Sequence, residues 1–239
     1  FKFNGIYKLK SFDVIVPFYN EEKNVELVYK DIHRLDRLFN INHFIFVDNG
    51  SKDNTLLNLE KIADLDSRVK IVKISKNIGY GYGVKQGIIH SKSDFCIINH
   101  SDLQFDSYTF FLQNLNSINK LREPSSIFSK RVNRSKMEYF RTFILRLILS
   151  IITLSYVKEF NGQPKVIEKK NIEPFLINLP NNFTLDFVLY QLIKPDIVYP
   201  VIQQKRLNGK SSWSGIFSSI KILFSYIITA FNNGSISNK

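Results

Sequence analysis

Polar turns at Pro17–Glu21, Asp48–Asp53, Lys76–Gly83 and His100–Asp106 each follow an apolar run, and with a basic stretch farther on their residue types suit the handling of a charged small molecule. The sharpest is His100-Ser101-Asp102-Leu103-Gln104, within CIINHSDLQFD (96–106). On an extended segment Asp102 and Gln104 point to one side, and His100 and Asp106 share it. A divalent cation that also binds a diphosphate needs only a few such protein oxygens, the rest coming from phosphate and water. The plain alternative is a buried strand ending in a turn. The second cluster, VDNGSKDNT, sets Asp48 at a strand end with Asn49 and Ser51, where a carboxylate could accept from a base or ribose or simply cap the next helix.

The third cluster is NIGYGYGVKQG. Gly79, Gly81 and Gly83 give G-x-G-x-G, with Val84 where a dinucleotide fingerprint needs glycine, so a Rossmann redox site is not expected. A tight turn under a nucleotide is. In the basic stretch, Lys130, Arg131, Arg134, Lys136, Arg141 and Arg146 crowd together. Candidate acids in that half are Glu159, Glu168, Glu173 and Asp186, with Asp186 the best placed to serve as a base.

Elements must deliver these clusters to one place. Apolar runs at 14–16, 44–47, 69–75 and 94–99 read as strands, the first stopped by Pro17. Helical spacing over 21–39, through Leu56–Ile62 and after the Gly-rich turn separates them. This is a βαβ series with a mostly parallel sheet, whose ligands belong beyond the carboxyl ends of the strands. Farther on, 105–121 and 183–193 read as helices, and 196–206 as extended. No linker separates independent domains.

Composition sets bounds. The 239 residues carry 33 Lys plus Arg against 21 Asp plus Glu, a net charge of +12, which points to an anionic partner or to a generally basic proteome. One cysteine excludes a disulfide framework. The chain opens on Phe1 and its one methionine is Met137, so the native start is expected upstream. Two apolar stretches, 143–157 and 215–231, are short of a membrane span and each contains a charge, Arg146 and Lys221. In the second, Ile216, Phe217, Ile220, Phe224, Ile227 and Ile228 recur at helical spacing, which predicts an amphipathic helix lying in a membrane interface, with packing on the protein's own core as the alternative.

Taken in order, VIVPFYNEEKNV, FVDNGSKDNT, NIGYGYGVKQGI, INHSDLQFD, FNGQPKVIEK and RLNGKSSW resemble glycosyltransferase family 2, nearest its dolichol- and polyprenyl-phosphate sugar transferases. The resemblance covers roughly residues 12 to 213. It implies a GT-A fold: a Rossmann-like, mostly parallel central sheet flanked by helices. Residues 1–208 would form the transferase domain, 11–106 being the nucleotide-sugar half and 107–208 the acceptor half; 209–239 would be an acceptor loop and the amphipathic helix. It further implies an inverting transfer from a UDP- or GDP-sugar to a polyprenyl phosphate, on the cytoplasmic face of a membrane, with Mg²⁺ or Mn²⁺ and possible homo-oligomers, and no nucleic acid. Elongation of a glycan hydroxyl and a non-catalytic binding role stay open. Carried over, Pro17, Tyr19, Glu21, Asp48, Asn77, Gly79 and Asp102 hold the nucleotide-sugar. Asp102, Gln104 and His100 hold the metal. Asp102, Arg131 and Arg206 serve catalysis, with Asp186 as base if one is needed. Two departures stand out: Asn49 and His100 occupy positions where the family has aspartate. The second removes a negative ligand and suits Mn²⁺ better than Mg²⁺.

Overall fold

The computed structural model describes residues 10–119, 126–195, 197–207 and 216–233. RLNGKSSW from position 208 onward, and the side chains of Ile216 and Phe217, lie outside them. One seven-stranded sheet runs in the order β3-β2-β1-β4-β6-β5-β7. Its strands are β1 (Phe12–Phe18), β2 (Ile41–Asp48), β3 (Val69–Lys73), β4 (Phe95–Ile98), β5 (Ile127–Val132), β6 (Lys165–Glu168) and β7 (Ile197–Ile202). The first four are parallel, β6 is antiparallel to both neighbours, and β7 is parallel to β5. The helices are α1 (Val25–His33), α2 (Thr55–Leu65), α3 (Tyr80–His90), α4 (Ser107–Asn119), α5 (Lys136–Ile152), α6 (Leu185–Ile193) and α7 (Ile216–Asn233).

Both faces of the sheet are buried, which explains why β1, β2 and β4 read as nearly continuous apolar runs. Phe12, Val14, Val16 and Phe18 point to one face, against Val25, Val28 and Ile32 of α1 and Phe110 and Phe111 of α4. Ile15, Ile45, Val47, Cys96 and Ile98 point to the other, against Val84 and Ile88 of α3, Leu149 of α5, and Leu185, Val188 and Leu189 of α6. Tyr226 and Ala230 of α7 complete that second layer.

Two boundaries differ from the sequence reading. Pro17 does not stop β1; it pairs with Val47 inside the strand. The ladder to β4 runs only from Phe12 to Ile15, so Pro17 sits where β1 has lost its partner on that side and its missing N–H costs no hydrogen bond there. The first helix is shorter than 21–39. Residues Asn20 to Asn24 are used to stitch loops, and the helix ends in a 3₁₀ turn over Arg34–Arg37.

Candidate active site

The carboxyl ends of β1, β2 and β4 open onto one rim, and the loops that follow are laced together. Asn20, at φ 53, donates its N–H to Ser51 Oγ at 3.1 Å and accepts from Lys52 N at 2.8 Å. Glu21 N donates to Thr55 Oγ1 at 2.8 Å, and Glu22 N to Asp53 Oδ2 at 3.2 Å. Asp48 is buried at the end of β2 and accepts from Ser51 N at 3.2 Å. Tyr19 is exposed on this rim, Pro17 is buried beneath it, and the Glu21 carboxyl is pushed up chiefly by burial, with Asn24 and Arg206 opposing.

Asn49 shows what its departure from aspartate does. Its buried amide donates to Gly79 O at 3.0 Å and to Asn77 Oδ1 at 3.4 Å, which a carboxylate could not do. Asn49 thereby ties β2 to the Asn77–Gly79 turn. Gly50, at φ 74, leaves room for that turn: a Cβ there would lie 2.8 Å from Asn77 N. Gly79, at φ 135, lies so close under Asn181 that a side chain would strike its carbonyl. The Gly-rich segment therefore packs beneath residues 180–182, whose Asn181 O also accepts from Tyr82 N at 2.9 Å.

The fourth loop gathers the charge. Asp102 Oδ1 accepts from Gln104 N at 3.2 Å, and Asp102 Oδ2 accepts from Arg206 Nη2 at 3.0 Å. Gln104 and Gln204 exchange two bonds: Gln204 N to Gln104 O at 2.8 Å, and Gln104 Nε2 to Gln204 O at 3.3 Å. The segment after β7 is thus zipped to the loop after β4, and two residues 104 apart in sequence, Asp102 and Arg206, meet. The His100 ring stands edge-on to Tyr80 at 5.1 Å. Burial lowers its pKa, with Asp102 and Asp186 opposing.

Behind His100 lies a buried polar cluster that sequence reasoning missed in part. Because β6 runs antiparallel, its first residue, Lys165, falls beside Ile98 at the carboxyl end of β4. Lys165 is fully buried; its Nζ donates to Gly162 O at 2.8 Å and lies 3.1 Å from Asp186 Oδ1. With its amide oxygen facing these donors, Gln163 accepts from Lys165 Nζ at 2.8 Å and Tyr80 OH at 3.1 Å, and donates to Ile98 O at 2.9 Å. Burial lowers the Lys165 pKa and Asp186 opposes it. Asp186, the expected base, is held inside against an ammonium. The clue was FNGQPK: a Gly, an amide and a Lys ahead of a short strand.

Arg131 is not beside Asp102 in any described contact. Its Nε donates to the buried Glu159 Oε1 at 3.1 Å, and Arg134 Nη1 lies 3.8 Å from Glu159 Oε2. Two guanidiniums share one carboxylate.

A cation at this site would find Asp102 as its carboxylate, Gln104 as an amide oxygen and His100 as an imidazole. Among the described residues no group of three or more His, Cys, Asp or Glu side chains is arranged to hold a metal by itself. By donor chemistry the set would suit a cation that takes its remaining oxygens from a bound diphosphate.

The sheet order, with its one antiparallel strand and the ligand rim beyond β1, β2 and β4, defines a GT-A fold. Glucosyl-3-phosphoglycerate synthase from Mycobacterium tuberculosis, solved with Mn²⁺, UDP and glucosyl-3-phosphoglycerate, superposes with a TM-score of 0.67 over 93 % of this chain and 79 % of its own, at 15 % identity. The family described as Glycosyl transferase family 2 matches residues 13–167. The chain belongs to that family. The CsbB protein of Bacillus subtilis (strain 168) is 25 % identical over 219 residues, 89 % of this chain and 63 % of its own length. Dolichyl-phosphate beta-glucosyltransferase ALG5D of Trichomonas vaginalis is 28 % identical over 144 residues, 56 % of this chain and 44 % of its own. The chain spans less than two thirds of the length of these curated relatives.

Proposed function

We propose that this chain transfers a sugar, with inversion, from a UDP- or GDP-sugar to a polyprenyl phosphate at a membrane surface. Residues 11–106 hold the donor and 107–208 the acceptor. The observation that carries the choice of acceptor is the state of the four candidate acids in the second half. Glu159 is paired with Arg131 and Arg134, Asp186 with Lys165, Glu168 with Lys170 and Glu173 with Lys169. A sugar hydroxyl acceptor requires a positioned base to take its proton. A phosphate monoester is already an anion and needs cations instead, which Arg131 and Arg134 supply. ALG5D, a relative in sequence, is named for a dolichyl-phosphate acceptor.

The chemistry follows from that arrangement. A phosphate oxygen of the acceptor attacks the sugar C1, the C1–O bond to the nucleoside diphosphate breaks, and the diphosphate leaves with the electron pair. Asp102, Gln104 and His100 would hold a divalent cation, Mg²⁺ or Mn²⁺, that neutralises charge on the departing diphosphate. Arg206 stands on Asp102 and adds a second positive charge at that place. Asn49 and Gly79 shape the turn on which the nucleotide rests.

The membrane surface is read from α5 and α7, which pack side by side. Phe140, Phe143, Leu147 and Ile151 of α5 and Phe224, Ile228 and Phe231 of α7 are exposed, each 47 % or more. No described helix is long and apolar enough to cross a membrane. An apolar face of this size marks an interaction site, and flanking Lys and Arg add attraction to anionic lipid. Binding would be peripheral, on the cytoplasmic face where the nucleotide-sugar is supplied.

The test is a thermal-shift titration with UDP, GDP and their sugars, with Mg²⁺, Mn²⁺ or EDTA, followed by transfer assays. Stabilisation by one nucleotide, larger with metal, and product on undecaprenyl phosphate are expected. Product on a saccharide and none on the lipid would overturn the acceptor assignment.

A further inference from the structure

The two arginines proposed to meet the acceptor are held by a relay that ends on the apolar C-terminal helix. Arg131 Nε and Nη2 both lie 3.1 Å from Glu159 Oε1. The same oxygen accepts from Asn161 N at 2.9 Å. Asn161 Oδ1 accepts from the Tyr226 hydroxyl at 3.1 Å. Tyr226 lies on α7 and is 3 % exposed, with its ring against Phe160, Phe183 and Phe187 at centroid distances of 5.6, 5.4 and 6.1 Å. A second tie, Thr229 Oγ1 to Thr184 Oγ1 at 3.1 Å, fixes α7 to the start of α6.

Like-charged guanidiniums drawn to one buried carboxylate repel each other, so their spacing depends on how firmly that carboxylate is held. Asn161 is the uncharged donor to it, and Asn161 is oriented by Tyr226. Arg134 keeps a buried Nε with no hydrogen-bond partner, a donor left for an anion to complete. The opposite face of the same helix carries Ile220, Phe224, Ile228 and Phe231, exposed by 48 to 68 %.

We infer that Tyr226 is a positioning residue: through Asn161 and Glu159 it sets Arg131 and Arg134 for the acceptor phosphate, so that seating α7 on a membrane and ordering the phosphate site are one event. This rests on the polyprenyl-phosphate reading above. Tyr226→Phe keeps the ring in its aromatic nest and removes only the hydroxyl.

The experiment is flotation of the full chain with phosphatidylcholine vesicles, with and without undecaprenyl phosphate. The wild type is expected to bind doped vesicles more tightly than plain ones. Tyr226→Phe should lower the thermal midpoint by only a few degrees, keep its affinity for plain vesicles, and lose the gain from undecaprenyl phosphate by about five- to tenfold, the weight of one buried hydrogen bond. Asn161→Ala should match it, and the double variant should be no worse than either alone. A Tyr226→Phe protein that keeps the full gain, or loses affinity for plain and doped vesicles alike, overturns the relay while the acceptor reading stands. A wild type that gains nothing from undecaprenyl phosphate overturns both.

Discussion

The rim proposed for the donor and the half proposed for the acceptor are built from different interactions. The loops after β1, β2 and β3 are joined mainly by neutral or backbone hydrogen bonds: Asn20 with Ser51 and Lys52, Glu21 N with Thr55, Asn49 with Asn77 and Gly79. The acceptor half is joined by buried charge: Glu159 between Arg131 and Arg134, and Lys165 against Asp186. The difference matches what each side would bind. Amides and hydroxyls can read a base or ribose by geometry without a large desolvation cost. An acceptor phosphate needs fixed cations, and cations buried before the anion arrives need carboxylates to hold them. The acceptor half is therefore where removing a single charge should cost most.

Lys165→Met sharpens that contrast most directly. It strips the ammonium from Asp186 and leaves an uncompensated buried carboxylate, so urea unfolding should show a loss of about 3–5 kcal/mol. A loss under about 1 kcal/mol would mean that the pair is not what holds this half together.

At the donor rim the expected effect is smaller and falls on binding. Asn49→Asp places a carboxylate oxygen against Gly79 O and Asn77 Oδ1 in place of two donated bonds. Nucleoside diphosphate affinity by titration calorimetry should weaken roughly tenfold, on the order of 1.4 kcal/mol. Unchanged affinity would show that the Asn77–Gly79 turn does not need this tie.

An effect of similar size is a pH dependence at Asp31, which shares the Arg34 guanidinium with Asp106. Asp31 on α1 lies near Asp106 at the start of α4, and burial, then Asp106, raises its pKa to about 6. A raised carboxyl pKa means that the folded chain binds the extra proton, so this group makes stability fall as pH climbs from about 4 to about 6, and the penalty is complete above that. Asp31→Asn should flatten that slope and raise stability at pH 7 by on the order of 1–2 kcal/mol. Equal slopes for the two proteins in pH-resolved unfolding would remove Asp31 as the cause.

Legibility in the sequence divides along the same line. The donor rim could be read because each loop is local: a run such as Phe44–Val47 followed by Asp48-Asn49-Gly50-Ser51 carries strand, turn and ligand within a few residues. Pro17 misled because a residue's cost inside a strand depends on whether its neighbour strand is still paired there, which no local pattern contains. Asn49 and His100 could be seen as departures, but only geometry showed that Asn49 donates to the turn at Gly79. In the acceptor half, Asp186 looked available as a base because Lys165 is 21 positions away and reaches it only through the antiparallel run of β6.

The amphipathic C-terminal helix was legible as a pattern, and the fold added its second role. Apolar spacing alone cannot separate an exposed apolar face from a core face, and α7 has both: Tyr226 and Ala230 inward, Phe224 and Ile228 outward. By itself the sequence determined the βαβ order, the polar strand ends and the chemistry those residues can offer, because strands, turns and helix periodicity are set over a few residues at a time. Tertiary structure alone decided which charges meet. Ion pairs such as Asp102 with Arg206 join residues far apart in the chain, and their partners are chosen by sheet order and strand direction, not by spacing.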